Sequence, residues 1–483
     1  MNWEPAHSDR IEPHVWRIAS VMILGMIMTI LDTTIVNVAL DTLGRDLHST
    51  IGQIQWIVTG YLLALAAVIP VSGWAARRFG AKRVYVISIV LFTAGSALCG
   101  LATTTTSLVL FRVLQGVGGG MTMPIGQMIV AHVAGPQRMG RVMGVIAMPA
   151  MLAPVFGPLI GGAILEGFHW SWIFYVNVPI GIVAVVLSIW TVPHIDLGRP
   201  GRLDVLGLGL LATSMPLLIY GLSEISTKGS FTAPTVVGPI LGGLLLSALF
   251  LMHAKRVRRP VLDIRLYANR VFAAASGATF FVAAALFGSM ILLPLYFQQV
   301  RHESVILTGL LVAPQGIGAA IAMPFAGRLS DRLGGGRVAI VGVTVVCLAT
   351  IPFGLVGANT SILALSVAQL VRGVGVGMSF MPAMTSAYAA LRRDQLSDAT
   401  PQMNVLQRIG GAIGTAVLAV VLQRAALGRP HSSPALAAAF GTTFWWGLGI
   451  AALALVPCVV LLLAERSHSR ARKLGSTAEA IGA

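Results

Sequence analysis

Gly73–Val84 reads GWAARRFGAKRV, and Gly327–Val338 reads GRLSDRLGGGRV. Five of the twelve aligned positions are identical (Gly, Arg, Gly, Arg and Val), and each copy joins two long apolar segments. A second pair of landmarks follows in the same order, GVGGGM at Gly116–Met121 and GVGVGM at Gly373–Met378. Two halves carrying the same marks in sequence imply a duplicated membrane unit, the usual build of a secondary transporter.

Composition agrees. Of 483 residues, 56% are hydrophobic and only 10% charged, against about 25% charged in a soluble chain. Runs of about 20 apolar residues suffice to cross a bilayer core. Fourteen such runs are present, about 18–40, 54–76, 84–102, 107–131, 141–165, 171–192, 204–223, 235–254, 271–298, 306–327, 338–357, 362–391, 402–423 and 441–464. The first is too long for a signal-peptide core and no clear cleavage site follows it, so it reads as a retained helix. Cys99, Cys347 and Cys458 all fall inside apolar runs without a CxxC and read as packing residues.

The net charge of +16 invites a nucleic-acid reading, but its distribution points elsewhere. Of the 33 Lys and Arg, 25 fall in one alternate set of connections and the termini, five in the other, and Arg112, Arg372 and Arg408 within helices. Cationic residues accumulate in cytoplasmic loops, so both termini are expected in the cytoplasm and the charge is mainly an orientation signal. The expected fold is an all-α polytopic membrane protein of six, two and six helices. Residues 1–195 would form an N-terminal bundle, 196–260 a two-helix insertion, 261–465 a C-terminal bundle and 466–483 a cytoplasmic tail.

Asp32 is the first candidate for chemistry. It lies inside helix 1 in TILDTTIVNVAL, and a carboxylate there costs about 2.5–3.5 kcal/mol on insertion scales, so it needs a cavity or a partner. A carboxylate whose proton occupancy changes as a partner moves is what proton coupling requires. The plainer alternative is a structural Asp bonded to Thr33, Thr34 or a neighbouring helix. Arg112 on helix 4 is the candidate counterion, its depth agreeing with that of Asp32 to within about 6 Å at 1.5 Å per residue. Its alternative is a side chain reaching the outer interface. Arg372 and Gln115, with Met121 and Met378, are candidates for a substrate cavity. Arg372 could meet an anionic group or Gln115 and its neighbours, or simply pair with backbone carbonyls, and the alternative for the methionines is ordinary lipid- or core-facing packing.

The glycines of GVGGGM lie in a membrane helix with no Walker lysine, so they signal close packing rather than phosphate binding. Gly157, Pro158, Gly161 and Gly162 on helix 5 read the same way, with the proline free to bend the helix. In the loop signatures, Gly73, Arg78, Gly80 and Arg83 in one copy and Gly327, Asp331, Arg332 and Gly334 in the other are candidates for gating. The alternative is plain orientation and turn chemistry. No nucleophile–base or metal-ligand cluster emerges, so an enzyme is not expected.

These motifs together resemble the fourteen-helix drug:proton antiporter family of the major facilitator superfamily, EmrB/QacA type, over about residues 17–465. LDTTIVNVAL at Leu31–Leu40 is similar to that family's helix-1 motif, and Gly73–Arg83 to the loop signature of the superfamily. Arg112, Gln115 and Gly116 match the helix-4 motif, whose Arg is tied to proton transfer. Gly157, Pro158, Gly161 and Gly162 match the helix-5 antiporter motif, and Trp170–Gly181 resembles the segment opening helix 6. Three positions depart: Arg77 stands where Asp is usual, Ser171 where Arg is common and Asp41 where Pro is common. The first weakens the expected conformational lock or shifts it to Asp331.

The resemblance implies a proton-coupled exporter of small, mostly lipophilic compounds in the inner (plasma) membrane, working by alternating access. A proton gradient is the energy source, no cofactor is needed and any periplasmic adaptor is left open. A dedicated exporter of a lipid, siderophore or secondary metabolite is the alternative within the class, and a non-transporting scaffold or sensor the alternative outside it.

Overall fold

A computed structural model describes residues 11–135, 138–195, 197, 201–228, 232–427 and 432–467, and these are helical with no strand among them. In hydrocarbon every backbone polar group must be satisfied within the chain, and the helix does this segment by segment. Fourteen spans follow one another. The first seven are α1 (Pro13–Asp46), α2 (Gly52–Phe79), α3 (Ala81–Gly100), α4 (Thr105–Ala134), α5 (Met139–Gly167), α6 (Trp172–Thr191) and α7 (Val205–Lys228). The rest are α8 (Pro234–Arg256), α9 (Arg270–Gln299), α10 (Val305–Leu333), α11 (Gly335–Gly354), α12 (Ile362–Ala389), α13 (Leu396–Ala426) and α14 (Ser433–Ser467).

Local chemistry sets their ends. Thr50 with Gln53, and Thr104 with Ser107, form capping boxes at the starts of α2 and α4. Asn269 and Ser304 cap α9 and α10. Gly80 and Gly334 end α2 and α10 at φ +87°, a left-handed conformation that only glycine adopts without strain. That shared angle makes each signature loop a one-residue reversal into the next helix.

Most spans begin a few residues earlier than their hydropathy predicts, and two do so by the most. α13 starts at Leu396 and α14 at Ser433, ahead of the expected 402 and 441. Pro434 fits the first turn of α14, where a missing N–H costs nothing. The polar first turns of α13 are buried among other helices, so they need no hydrophobic run. α5 bends by 45° between Ala153 and Phe156. Pro154 within the break and Pro158 just after it each lack the N–H that would close the helix ladder there.

The repeats reappear as packing. Gly116 of α4 lies against the Tyr61 carbonyl of α2, and Gly373 of α12 against the Gln315 carbonyl of α10. Gly118 meets α3 as Gly375 meets α11. A Cβ at any of the four would stand within 2.7 Å of backbone atoms, so the glycines are what lets these helices touch.

α5 packs along α10, and α2 meets the start of α13. α7 packs on α8 and against both α2 and α13, through an apolar cluster of Leu211, Met215 and Leu218 with Ala66. The expected tail falls outside the described residues from 468 on, as do Arg10, Arg199, Arg429, Arg470, Arg472 and Lys473 of the charge census.

Candidate functional site

Asp32 and Arg112, far apart in sequence, are in contact and neither is exposed to solvent. Arg112 Nη1 donates to Asp32 Oδ2 at 2.5 Å and to Gln115 Oε1 at 2.7 Å. Gln115 Nε2 donates to Asp32 Oδ1 at 2.8 Å, and Asn177 Nδ2 to the same oxygen at 2.9 Å. Arg112 Nε donates to the Ile57 carbonyl, and its guanidinium carbon lies 4.2 Å from the centre of the Tyr61 ring. The pair therefore joins α1 to α2, α4 and α6 at one point.

Helix geometry explains the convergence. Arg112 and Gln115 are three residues apart and share a face of α4. Asn177 stands at the turn where α6 restarts, tied back to Ser96 of α3 at 3.1 Å. A carboxylate with three donors, and a guanidinium with three acceptors and an aromatic face, go most of the way to the condition under which a buried ion pair is tolerated, Arg112 Nη2 alone being left without a partner among the described residues. Asn177 is the member that sequence reasoning did not single out. It falls within the quoted Trp170–Gly181 segment, but nothing in its spacing points at Asp32.

The signature loops hold the two bundles together on one face. Arg77 Nη1 donates to Asp398 Oδ1 at 2.7 Å and to Ser397 Oγ at 2.5 Å, bridging α2 to the first turn of α13. In the other copy Asp331 accepts from the backbone N–H groups of Gly140 and Arg141 at 3.1 and 3.2 Å, capping the start of α5. The two aligned positions thus reach equivalent targets with opposite charge. A cation is unfavourable at a helix N-terminus, so Asp398 supplies the acid that position 77 lacks. Both copies carry a contact, and Asp331 is not left to act alone.

The leading glycines belong to the same joints. A Cβ at Gly73 would lie 2.1 Å from the Ser397 carbonyl oxygen, and one at Gly327 2.1 Å from that of Gly140. Pro401 cannot donate to the Ser397 carbonyl, which leaves it free to face Gly73. Asn404 of α13 adds a buried bond to Gln127 of α4 at 2.8 Å. These contacts shut the molecule on the face that carries the signatures. Arg78, Arg83 and Arg332 are exposed at this face.

Gly157 stands against Thr34, where any Cβ would overlap that side chain, and Gly161 against Ile35. Gly162 has ordinary clearance from Ile306, so the motif's tightest point is Gly157. Pro158 faces a cavity of about 140 Å³ between α5, α9, α10 and α12. Arg372 is buried on α12 and donates to Gln315 of α10 at 3.3 Å rather than to Gln115. Met121 and Met378 are half-buried, and α12 contributes Val376 rather than Met378 to the cavity wall. Sequence reasoning also missed Glu465, which accepts from Gly335 N, Gly336 N and Ser386 Oγ and so caps α11 from α14. The three cysteines are free thiols.

Two helical halves that repeat the same landmarks and the same glycine packing are the build of a secondary transporter. Residues 22–415 match the family model of the Major Facilitator Superfamily. The chain is 39% identical over 420 residues to a multidrug resistance protein B homolog of Mycobacterium tuberculosis, covering 86% of this chain and 78% of that one. It is 31% identical over 402 residues to the multidrug export protein EmrB of Haemophilus influenzae, covering 82% and 78%. Among solved structures, the human organic anion transporter MFSD10 superposes with a TM-score of 0.65 at 15% identity, covering 93% of this chain and all of that one. The proton:xylose symporter XylE gives 0.62 at 14%, covering 92% and 94%. These two share the fold.

The chain belongs to the major facilitator superfamily, and within it to the drug:proton antiporter family that includes EmrB.

Proposed function

We propose that the protein is a proton-driven exporter of small, mostly lipophilic compounds, alternating between two states with Asp32 as the proton carrier. The supporting observation is the sealed contact of Asp32 with Arg112, Gln115 and Asn177. A proton arriving on Asp32 removes the charge that Arg112 and two amides are arranged around, and the joint between α1, α4 and α6 loosens. Loss of the proton restores it. The signature face is cytoplasmic in this reading, as are both termini, so the present arrangement is closed toward the cytoplasm of an inner-membrane pump. Each charge crossing 100 mV contributes about 2.3 kcal/mol, enough for one or two protons to sustain a steep gradient. The names of the relatives, a multidrug resistance protein B homolog and a multidrug export protein, favour export of drug-like compounds.

Asp32→Asn imitates the protonated carboxyl, a state the cycle itself visits, and so preserves shape. In proteoliposomes with an imposed pH gradient the wild type should accumulate a lipophilic reporter and the variant should not, while both catalyse exchange at equal pH. Gradient-driven accumulation by the variant would remove Asp32 from the mechanism.

A further inference from the structure

The membrane interior of this chain holds three arginines, Arg112, Arg372 and Arg408, and one carboxylate, Asp32. Asp32 is engaged by Arg112, Gln115 and Asn177. Arg408 also has a buried Nε without a partner among the described residues, but as a whole side chain it is only half-buried and lines none of the cavities below. Arg372 is 2% exposed, its Nε has no partner, and Nη1 reaches only the amide oxygen of Gln315. Its guanidinium carbon stands 5.8 Å from the Phe353 ring centre, a weak contact for a full charge. Among the described residues no carboxylate pairs with it. A guanidinium cannot shed its proton as a lysine can, so a buried arginine without an acid asks for an anion from elsewhere.

A place for one adjoins it. Gln315 lines the cavity between α5, α9, α10 and α12, and Arg372 lines the small void next to it, sharing Leu286 and Val376. Gln315 accepts from Arg372 through its oxygen, which leaves its amide N–H₂ as donor. Two turns away on the same face of α10, the Thr308 hydroxyl is buried, lines the cavity and has no partner. The wall is otherwise largely apolar, as at Met151, Pro158, Leu286 and Leu293.

We propose that this cavity takes the acidic group of an amphiphilic organic anion, a carboxylate or sulfonate on an apolar body. Arg372 supplies the counter-charge, and Gln315 and Thr308 supply neutral donors. The apolar wall favours an organic over an inorganic anion, which would lose its hydration without gaining contacts. The proposal names the substrate class for the exporter above and rests on that reading.

The test is equilibrium binding to full-length protein in nanodiscs, without any gradient, using dansylglycine and its neutral amide as matched probes. The wild type should bind the acid at least tenfold tighter than the amide. Arg372→Gln should erase that preference, and Arg372→Lys should retain part of it in a protein of unaltered size-exclusion profile. Equal binding of the two probes by the wild type, or an undiminished preference in Arg372→Gln, would overturn the assignment. Displacement of dansylglycine by millimolar chloride or phosphate would make it an inorganic-anion site and overturn it likewise. Binding needs no proton cycle, so an intact acid preference beside absent gradient-driven transport would sink the export reading alone. Transport of neutral reporters without any acid preference would sink only this one.

Discussion

In the first half of the molecule Arg112 meets Asp32, Gln115 and a backbone carbonyl; in the second, Arg372 meets the amide of Gln315. Aligning the glycine landmarks places Arg372 in the register of Gln115 and Gln369 in that of Arg112. The Arg and Gln have exchanged places while the glycines around them keep the same neighbours: α4 against α2 and α3, α12 against α10 and α11. Duplication has thus preserved the steric frame and released the charges. Packing is set by backbone contact distances, which both halves must respect. A charge has only to be matched locally: the first half matches Arg112 with Asp32, whereas the second gives Arg372 only a neutral amide among the described residues.

The sharpest way to break this contrast is to remove each arginine in turn. Arg112→Leu leaves Asp32 buried without its cation and should cost about 3–5 kcal/mol of stability. Arg372→Gln removes a charge that no carboxylate balances among the described residues, and should leave stability unchanged or raise it by about 1 kcal/mol. Thermal unfolding in one detergent measures both, and similar losses for the two would erase the asymmetry between the halves.

The signature loops offer a finer comparison. Gly80→Ala and Gly334→Ala force the same positive-φ, extended-ψ backbone on an L-residue, at about 1–3 kcal/mol each. The loss at Gly334 should be the larger, because a Cβ there would stand 2.9 Å from Glu465 Oε2 whereas at Gly80 it meets open space. Smallest is the charge pair itself. A double-mutant cycle on Arg77→Ala and Asp398→Ala should return a coupling of about 1 kcal/mol, fitting a pair that is 16% and 21% exposed. A coupling near zero would mean that Gly73 and Ser397 hold that joint by packing alone.

Much of this was legible in the sequence, for physical reasons that also mark where reading stopped. Fourteen spans follow from hydrocarbon thickness, and the repeated loops give the two-bundle plan. Asp32 and Arg112 were matched by depth because depth along a helix is a linear count. Asn177 and Asp398 were not, because their contacts depend on which helices lie side by side. Position 77 shows the limit best. Arg77 reads in sequence as a weakened lock or one shifted to Asp331, and only the approach of α13 reveals that a carboxylate, Asp398, pairs with it. The start of α13 escaped for a related reason: burial by neighbouring protein lets polar turns lie where hydropathy expects water.

The α7–α8 hairpin lies over the α2–α13 seam, whereas the α5–α10 seam packs against no such cover among the described elements. The molecule is therefore lopsided in the plane of the bilayer. One flank of the joint between the halves is thus fenced by a helical hairpin, and the other, where Gly309 stands against Pro158, faces outward with the α5–α10 packing alone to close it.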